Sequence, residues 1–103
     1  MTTSIGPLDK DELKYAIFNF SNELATGGTI TTAVVTVELV VGIDASPSGL
    51  LSGGVTIDSA NKLVSQRVAG AGRAGNTYRL RCQATDNSAN VHTVAALLAV
   101  VSL

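Results

Sequence analysis

Cys82 and His92 are the residues whose types most directly suggest catalysis, because a thiol beside an imidazole base can act as a nucleophile. They are the chain's only cysteine and only histidine, and a predicted hairpin would allow them to meet. However, Cys82 alternates with Tyr78 and Leu80 on the predicted buried side of its strand, where a small core residue is expected. We therefore keep a small Cys/His hydrolase as a remote alternative and predict that the protein is not an enzyme.

Two other segments resemble ligand sites only superficially. Asp9, Asp11 and Glu12 form an acidic group, but their spacing lacks the glycine of a calcium loop. Asp9 followed by Glu12 instead predicts one helical turn over Asp9–Leu13. The glycine-rich run Gly70–Gly75 precedes a strand, whereas phosphate-binding loops lie between a strand and a helix. We predict no metal and no cofactor, and a single cysteine excludes both an internal disulfide and a cysteine-based zinc site.

Arg79 and Arg81 are alternate residues on the predicted exposed side of one strand. Guanidinium groups bind carboxylates in paired hydrogen bonds, so these two residues could hold an acidic neighbour in another subunit. An equally simple interpretation is that they keep an exposed sheet face soluble. The sequence leaves both interpretations open.

The elements that would position these residues are strands. Asn76–Thr85 alternates between two sides over its length, which is typical of one buried and one exposed face. The polar loop Asp86–Asn90 follows, and Val91–Val101 then returns as the second strand of an antiparallel hairpin. That last strand has no clean polar face, which indicates burial on both sides or contact with another chain. Alanine and leucine also allow a helix over Thr93–Leu98, but the valine pair favours a strand.

Earlier segments follow the same pattern, with short runs rich in valine, isoleucine and threonine between turn clusters. Near the start, Leu13, Tyr15 and Ile17 interleave with Ala16 and Phe18, which predicts a strand apolar on both faces, one of them covered by a neighbour. The other predicted strands are Thr31–Val41, Gly54–Ile57 and Leu63–Val68. We predict an all-β chain with a single immunoglobulin-like antiparallel β-sandwich, in which residues 1–12 form an extended N-terminal arm and residues 13–103 form the sandwich domain.

Composition limits the class of protein. Hydrophobic types make up 46% of the 103 residues and charged types only 15%, which excludes a disordered tail. A net charge of −1 argues against nucleic-acid binding. No apolar run reaches the ~20 residues of a membrane helix, and no secretory signal is recognisable. We therefore expect neither a nucleic-acid nor a membrane partner, synthesis in the cytoplasm, and a subunit whose missing polar surface is covered by neighbours.

Charge is divided unevenly along the chain. Residues 1–50 carry two lysines against six acidic residues, a net charge of −4, while residues 51–103 carry five basic against two acidic residues, a net charge of +3. An acidic and a basic half could dock copies head to tail. Alternatively, both halves simply face water.

Several segments occur in a recognisable order along the chain. They are Ile5–Asp11 followed by Leu13-Lys14-Tyr15, then Phe20-Ser21-Asn22, Gly27–Ile30, Gly75–Thr85, and Ala95–Leu98 with Val100. Taken in this order, they resemble small tailed-phage virion proteins of the fibre–tail adaptor type. The resemblance covers most of the chain and is weakest over Val35–Ser59. Such proteins commonly carry a tryptophan in two regions where this chain has Glu23-Leu24 and Val34-Val35.

The resemblance implies a non-enzymatic virion structural protein made in the bacterial host cytoplasm. It implies a tail or neck adaptor that links the portal or tail tube to fibres, in a homo-oligomeric ring or several copies. The alternative is a capsid decoration protein that binds the major capsid protein and stabilises the shell. The residues we expect to contact other virion proteins are Ile5, Pro7, Asp9, Asp11, Arg79, Arg81, Val100 and Val101.

Overall fold

Seven strands account for the architecture in the computed structural model, which describes residues 2–24 and 26–102, with the backbone alone for residues 2–6. A 3-10 helix, Pro47–Leu50, is the single helical element within these ranges. The strands are β1 (Thr2–Asp9), β2 (Leu13–Asn19), β3 (Ile30–Val41), β4 (Leu51–Asp58), β5 (Leu63–Ala69), β6 (Thr77–Asp86) and β7 (Val91–Val101). The prediction of an all-β chain is confirmed.

The strands form two sheets. One has four strands in the order β1-β7-β6-β3, and the other has three in the order β2-β5-β4. All pairings are antiparallel except that of β1 with β7, which is parallel. The pairings among the strands of residues 13–103, for which an antiparallel sandwich was predicted, are all antiparallel, and the parallel pair comes from the segment predicted as an arm. A parallel pair cannot be joined by a tight hairpin, and here the remaining five strands lie between the two partners in sequence.

The hydrophobic core lies between the sheets and receives the inward side of nearly every strand. On β6, Tyr78, Leu80, Cys82 and Ala84 are each 0% exposed, as their period-two spacing predicts. The three-stranded sheet contributes its own side of the core. Its fully or almost fully buried side chains are Ala16, Phe18, Val64, Gln66 and Val68.

β7 is a strand throughout, so the helix considered over Thr93–Leu98 does not form. Its inward residues Val94, Ala96, Leu98 and Val100 are buried. The intervening side chains face outward and are mostly half-buried, with Leu97 36% exposed. Pairing with β1 on one edge and with β6 on the other satisfies the backbone of β7, while the weakly polar outward side chains remain partly exposed.

The acidic segment after β1 forms a hydrogen-bonded turn rather than a helical one. The amide of Glu12 donates to the carbonyl of Asp9 at 2.9 Å, and the amide of Asp9 donates to Glu12 Oε1 at 2.8 Å. The hydrogen bond from Asp9 lowers the pKa of the Glu12 carboxyl. The Glu12 side chain bonds back to the Asp9 amide as in a capping box, but the Asp9 carboxylate accepts the amide of Asp11 and not that of Glu12. β2 begins at Leu13, which leaves no length for a helix.

The acidic and basic halves of the sequence are not separate in space. β3 from the acidic half lies beside β6 from the basic half, and Arg79 Nη1 contacts Glu38 Oε1 at 2.7 Å. Arg73 Nε likewise contacts Asp44 Oδ2 at 3.0 Å. Two pairs of opposite charges therefore meet within one chain, so the acidic and basic halves of the sequence do not form two separate charged surfaces.

Candidate protein interface

Cys82 does not have the properties of a nucleophile. Its side chain is fully buried opposite Val94, and burial raises the pKa of its thiol to about 12. A reactive cysteine needs access to solvent and a lowered pKa, since the thiolate is the reactive form. Cys82 therefore acts as a small core residue, as its position in the alternation predicted.

His92 binds an acidic side chain at the end of its own hairpin. Its Nε2 lies 2.9 Å from Asp86 Oδ2, while Asp86 Oδ1 accepts the amides of Ser88 and Asn90. The hydrogen bond with His92 is the main cause of a lowered pKa at the Asp86 carboxyl, and the two backbone hydrogen bonds lower it further. The carboxylate thus fixes the β6–β7 loop, with His92 closing the site from the next strand.

The glycine-rich loop between β5 and β6 binds the chain itself rather than a phosphate. The amides of Gly70 and Gly72 donate to the carbonyls of Glu12 and Lys10, each at 2.9 Å. The amide of Gly75 donates to the carbonyl of Val100 at 2.8 Å. A Cβ atom on Gly70 would overlap the carbonyl of Asp9. Glycine is needed there because the loop packs directly on the β1–β2 turn, and its bonded amides are unavailable to an anion.

Asp44, Arg73, Asn76 and Tyr78 form a hydrogen-bonded group, which we call the Asp44 network. Tyr78 Oη donates to Asp44 Oδ2 at 2.6 Å, Arg73 Nε donates to the same oxygen, and the amide of Ser46 donates to Oδ1 at 2.8 Å. The bond from Tyr78 is the main cause of a lowered pKa at Asp44. Burial is the main cause of a raised pKa at Tyr78.

Asn76 extends this network to the backbone after β3. Its Oδ1 accepts the amide of Ile43 and its Nδ2 donates to the carbonyl of the same residue, both at 3.2 Å. Nδ2 also lies 3.0 Å from Tyr78 Oη. The network therefore joins the segment after β3 to the loop before β6, and the side chains of Asp44, Asn76 and Tyr78 are hydrogen-bonded within the fold.

The described residues also bear on metal binding and on membrane insertion. They contain no group of three or more histidine, cysteine, aspartate or glutamate side chains arranged to hold a metal ion. Among them, no helical segment has both the length and the apolar character of a membrane span.

The outward face of β6 carries the two arginines that the sequence singled out. Both are exposed, as the alternation predicted. Arg79 pairs with Glu38 of β3, and the two side chains are 44% and 56% exposed. Arg81 lies opposite Thr36 of β3 and forms no ion pair within the described ranges. One arginine is thus neutralised by its own chain and the other is available.

The outward face of β2 carries an apolar stripe formed by Leu13, Tyr15 and Ile17. These alternate residues are 52%, 55% and 55% exposed. Arg67 of β5 lies over the Tyr15 ring, with its Cζ 4.8 Å from the centroid, and its Nη2 is 3.1 Å from Tyr15 Oη. A shallow depression beside them is lined by Tyr15, Ile17, Thr56 and Ser65. This stripe was not among the predicted contact residues, although the sequence showed a strand apolar on both faces.

The predicted contact residues fall into two separate groups. Asp9 lies opposite Val101 in the β1–β7 pairing, with exposed Pro7 and Asp11 nearby in sequence. The side chain of Ile5 lies outside the described part of the structure. Val100 is 1% exposed, so its side chain belongs to the core and we leave it out of any contact surface. Arg79 and Arg81 form the second group, on the sheet face.

Comparison with known proteins shows that a family model covers most of the chain. The model of the family described as podophage GP4 fiber-tail adaptor protein gp77 matches residues 9–99. That range extends from the end of β1 into β7, which is most of the chain. No curated protein matches the chain.

Proposed function

Because the chain belongs to the podophage GP4 fiber-tail adaptor family, we propose that it links the phage tail to the fibres through protein–protein contacts alone. The family is one of structural tail proteins, and its match over residues 9–99 is the observation that carries the proposal. The expected partners are the portal or tail tube on one side and a fibre on the other. The protein would be made in the host cytoplasm and incorporated into the virion in several copies.

The strand order supports an immunoglobulin-like sandwich as the scaffold of this adaptor. With β2 to β7 lettered B to G, one sheet is B-E-D and the other contains C-F-G, which is the grouping of immunoglobulin domains. β1 adds to the G strand instead of to B. Such a scaffold exposes two broad sheet faces, which suits a protein that must contact more than one neighbour.

The apolar stripe supports contact with another protein through the face of β2. Aromatic side chains and arginine are enriched at the centre of protein interfaces, and that centre is more apolar than its rim. Leu13, Tyr15 and Ile17 are about half exposed, and Arg67 is held beside them by Tyr15. We assign this face to a virion partner, together with residues 1–12, where Pro7 and Asp11 are exposed.

Phage carrying Ile17→Asp test the assignment. We expect particles that assemble but lack fibres, because a charge in the middle of an apolar contact is costly to bury. Val91→Asp is the matched control, since Val91 is 62% exposed at the start of β7 and away from the stripe. Normal fibre content in Ile17→Asp particles, or the same defect in the control, would contradict the assignment.

A further inference from the structure

The outer edge of β3 is an unpaired strand edge of unusual length. β3 has 12 residues, forms one border of the four-stranded sheet, and pairs regularly with β6 from Thr32 to Leu39. Within the described residues, no loop or side chain hydrogen-bonds to the backbone of Thr32–Val41. An edge of this kind presents free amide and carbonyl groups that can pair with another strand.

Two other sheet edges are interrupted in ways that discourage such pairing. On β4 the register shifts between Ser52 and Thr56, and Gln66 Nε2 donates to the carbonyls of Ser52 and Gly53. On β1 the register shifts between Ile5 and Leu8, next to a proline that has no amide hydrogen. β2 has only seven residues. β3 is longer than all of these and carries a single charged residue, Glu38.

The outward side chains along β3 are complementary to a second copy of themselves. Val34 is 60% exposed and Val40 is 45% exposed, with Thr36 and Glu38 between them. Arg79 contacts Glu38, whereas Arg81 lies beside Thr36 with no acidic partner in the described part of the chain. The β3 edge therefore carries two exposed valines, and the neighbouring strand β6 carries an arginine that has no acidic partner in the described part of the chain.

We propose that two copies of the chain pair antiparallel along β3, with Val37 of each strand opposite Val37 of the other. In this register Val34 lies opposite the partner's Val40, so the two exposed valines cover each other. Thr36 lies opposite the partner's Glu38, which places Arg81, Thr36 and that carboxylate in one row across the sheet. Threonine is short, so the Arg81 guanidinium reaches past it to the carboxylate.

The second copy thus supplies what each chain lacks. Each Glu38 would lie between Arg79 of its own chain and the partner's Arg81, and the two sheets would become one continuous sheet of eight strands. An unrelated strand could satisfy the backbone, but self-pairing in this register also satisfies the charges. The inference concerns the contact between copies and not the link to tail and fibre, so its failure would leave the proposed function intact.

Sedimentation of the full chain over a range of concentrations tests the pairing. We expect a dimer whose Kd rises roughly threefold to thirtyfold with Arg81→Glu, because two exposed ion pairs become repulsive. Arg67→Glu removes a positive charge from the opposite face and should leave Kd unchanged. Combining Arg81→Glu with Glu38→Arg and Arg79→Glu inverts every charge of this row, including the Arg79–Glu38 pair within each chain, and should restore the dimer. A monomer at every concentration, or equal effects of the two single variants, would overturn the proposal.

Disulfide cross-linking tests the register. A mixture of Val34→Cys chains and Val40→Cys chains should form a disulfide between unlike chains on oxidation, since opposite residues have Cβ atoms ~5 Å apart. Neither variant alone should cross-link, because the same position in the two paired strands is offset by six residues along the strand direction, which separates the two cysteines by ~20 Å. A dimer that fails to cross-link in the mixture, or that cross-links in either variant alone, would refute this register.

Discussion

The Asp44 network and the apolar stripe on β2 use their residues in opposite ways. In the network, the carboxylate of Asp44 accepts hydrogen bonds from Tyr78, Arg73 and the backbone of Ser46, so its polar groups serve the fold. In the stripe, three apolar side chains are about half exposed, and Arg67 is the neighbour that lies over the middle one. The difference indicates that residues of reactive type maintain the structure here, while residues of core type are available for binding.

The largest loss of stability is expected from a substitution of Leu50, a core residue close in sequence to the Asp44 network. Leu50 is 0% exposed and lies in the 3-10 helix after Asp44. Leu50→Ala should lower the free energy of unfolding by about 2–5 kcal/mol, because it removes buried methyl groups and leaves a cavity. Urea denaturation of the purified protein measures the change. A loss below ~1 kcal/mol would mean that this end of the molecule is less firmly packed than the structure indicates.

Removing one hydroxyl from the network should have the next largest effect. Tyr78→Phe keeps the buried ring but removes the hydroxyl that donates to Asp44 and accepts a hydrogen bond from Asn76 Nδ2. We expect a loss of about 1–3 kcal/mol, since partners inside the fold lose a hydrogen bond. The same denaturation measurement applies, with Tyr15→Phe on the stripe as control. Equal losses for the two variants would contradict the distinction between the regions.

Acid should weaken the network but not the stripe. The pKa of Asp44 is lowered in the folded protein, so the stability it contributes is present above its unfolded value near 3.8 and is lost as pH falls through the folded pKa. The difference in Tm between the wild type and Asp44→Asn should therefore be constant at neutral pH and shrink below about pH 4. Ile17→Ser, measured in parallel, should differ from the wild type by the same amount at every pH. A difference in Tm between the wild type and Asp44→Asn that does not change with pH would show that the charge of the Asp44 carboxylate does not contribute to stability.

The smallest effect on stability is expected within the stripe. Ile17→Ser exposes nothing new, because Ile17 is already 55% exposed, and surface substitutions usually change stability by no more than ~0.5 kcal/mol. Urea denaturation should give a curve close to that of the wild type. A loss comparable to that of Leu50→Ala would mean that the stripe belongs to the core and is not free for a partner.

Alternation within single strands made part of this fold predictable from the sequence. The buried positions of Tyr78, Leu80 and Cys82 follow from period two, as does the exposure of Arg79 and Arg81. β1 was not predicted as a strand of the sheet, since Gly6 and Pro7 interrupt it and its partner β7 lies at the other end of the sequence.

The Asp44 network was not predictable either. Its members lie on segments that become adjacent only once both sheets have formed. Asp44 is 29 positions before Arg73 and 34 positions before Tyr78 in the sequence. The stripe on β2 gave a signal that could have been used. Its strand is apolar on both faces, and in a two-sheet protein only one face of a strand meets the core, so one set of residues had to be left exposed.

Quantitative protein stoichiometry of purified virions, with and without their fibres, tests the role as a fibre–tail adaptor most directly. We predict that the protein is present at about a dozen copies per particle, a number set by the symmetry of the tail rather than of the shell. We also expect it to stay with the tail when the fibres are removed. Hundreds of copies would indicate a capsid decoration protein instead, and absence from the virion would contradict any role as a virion adaptor.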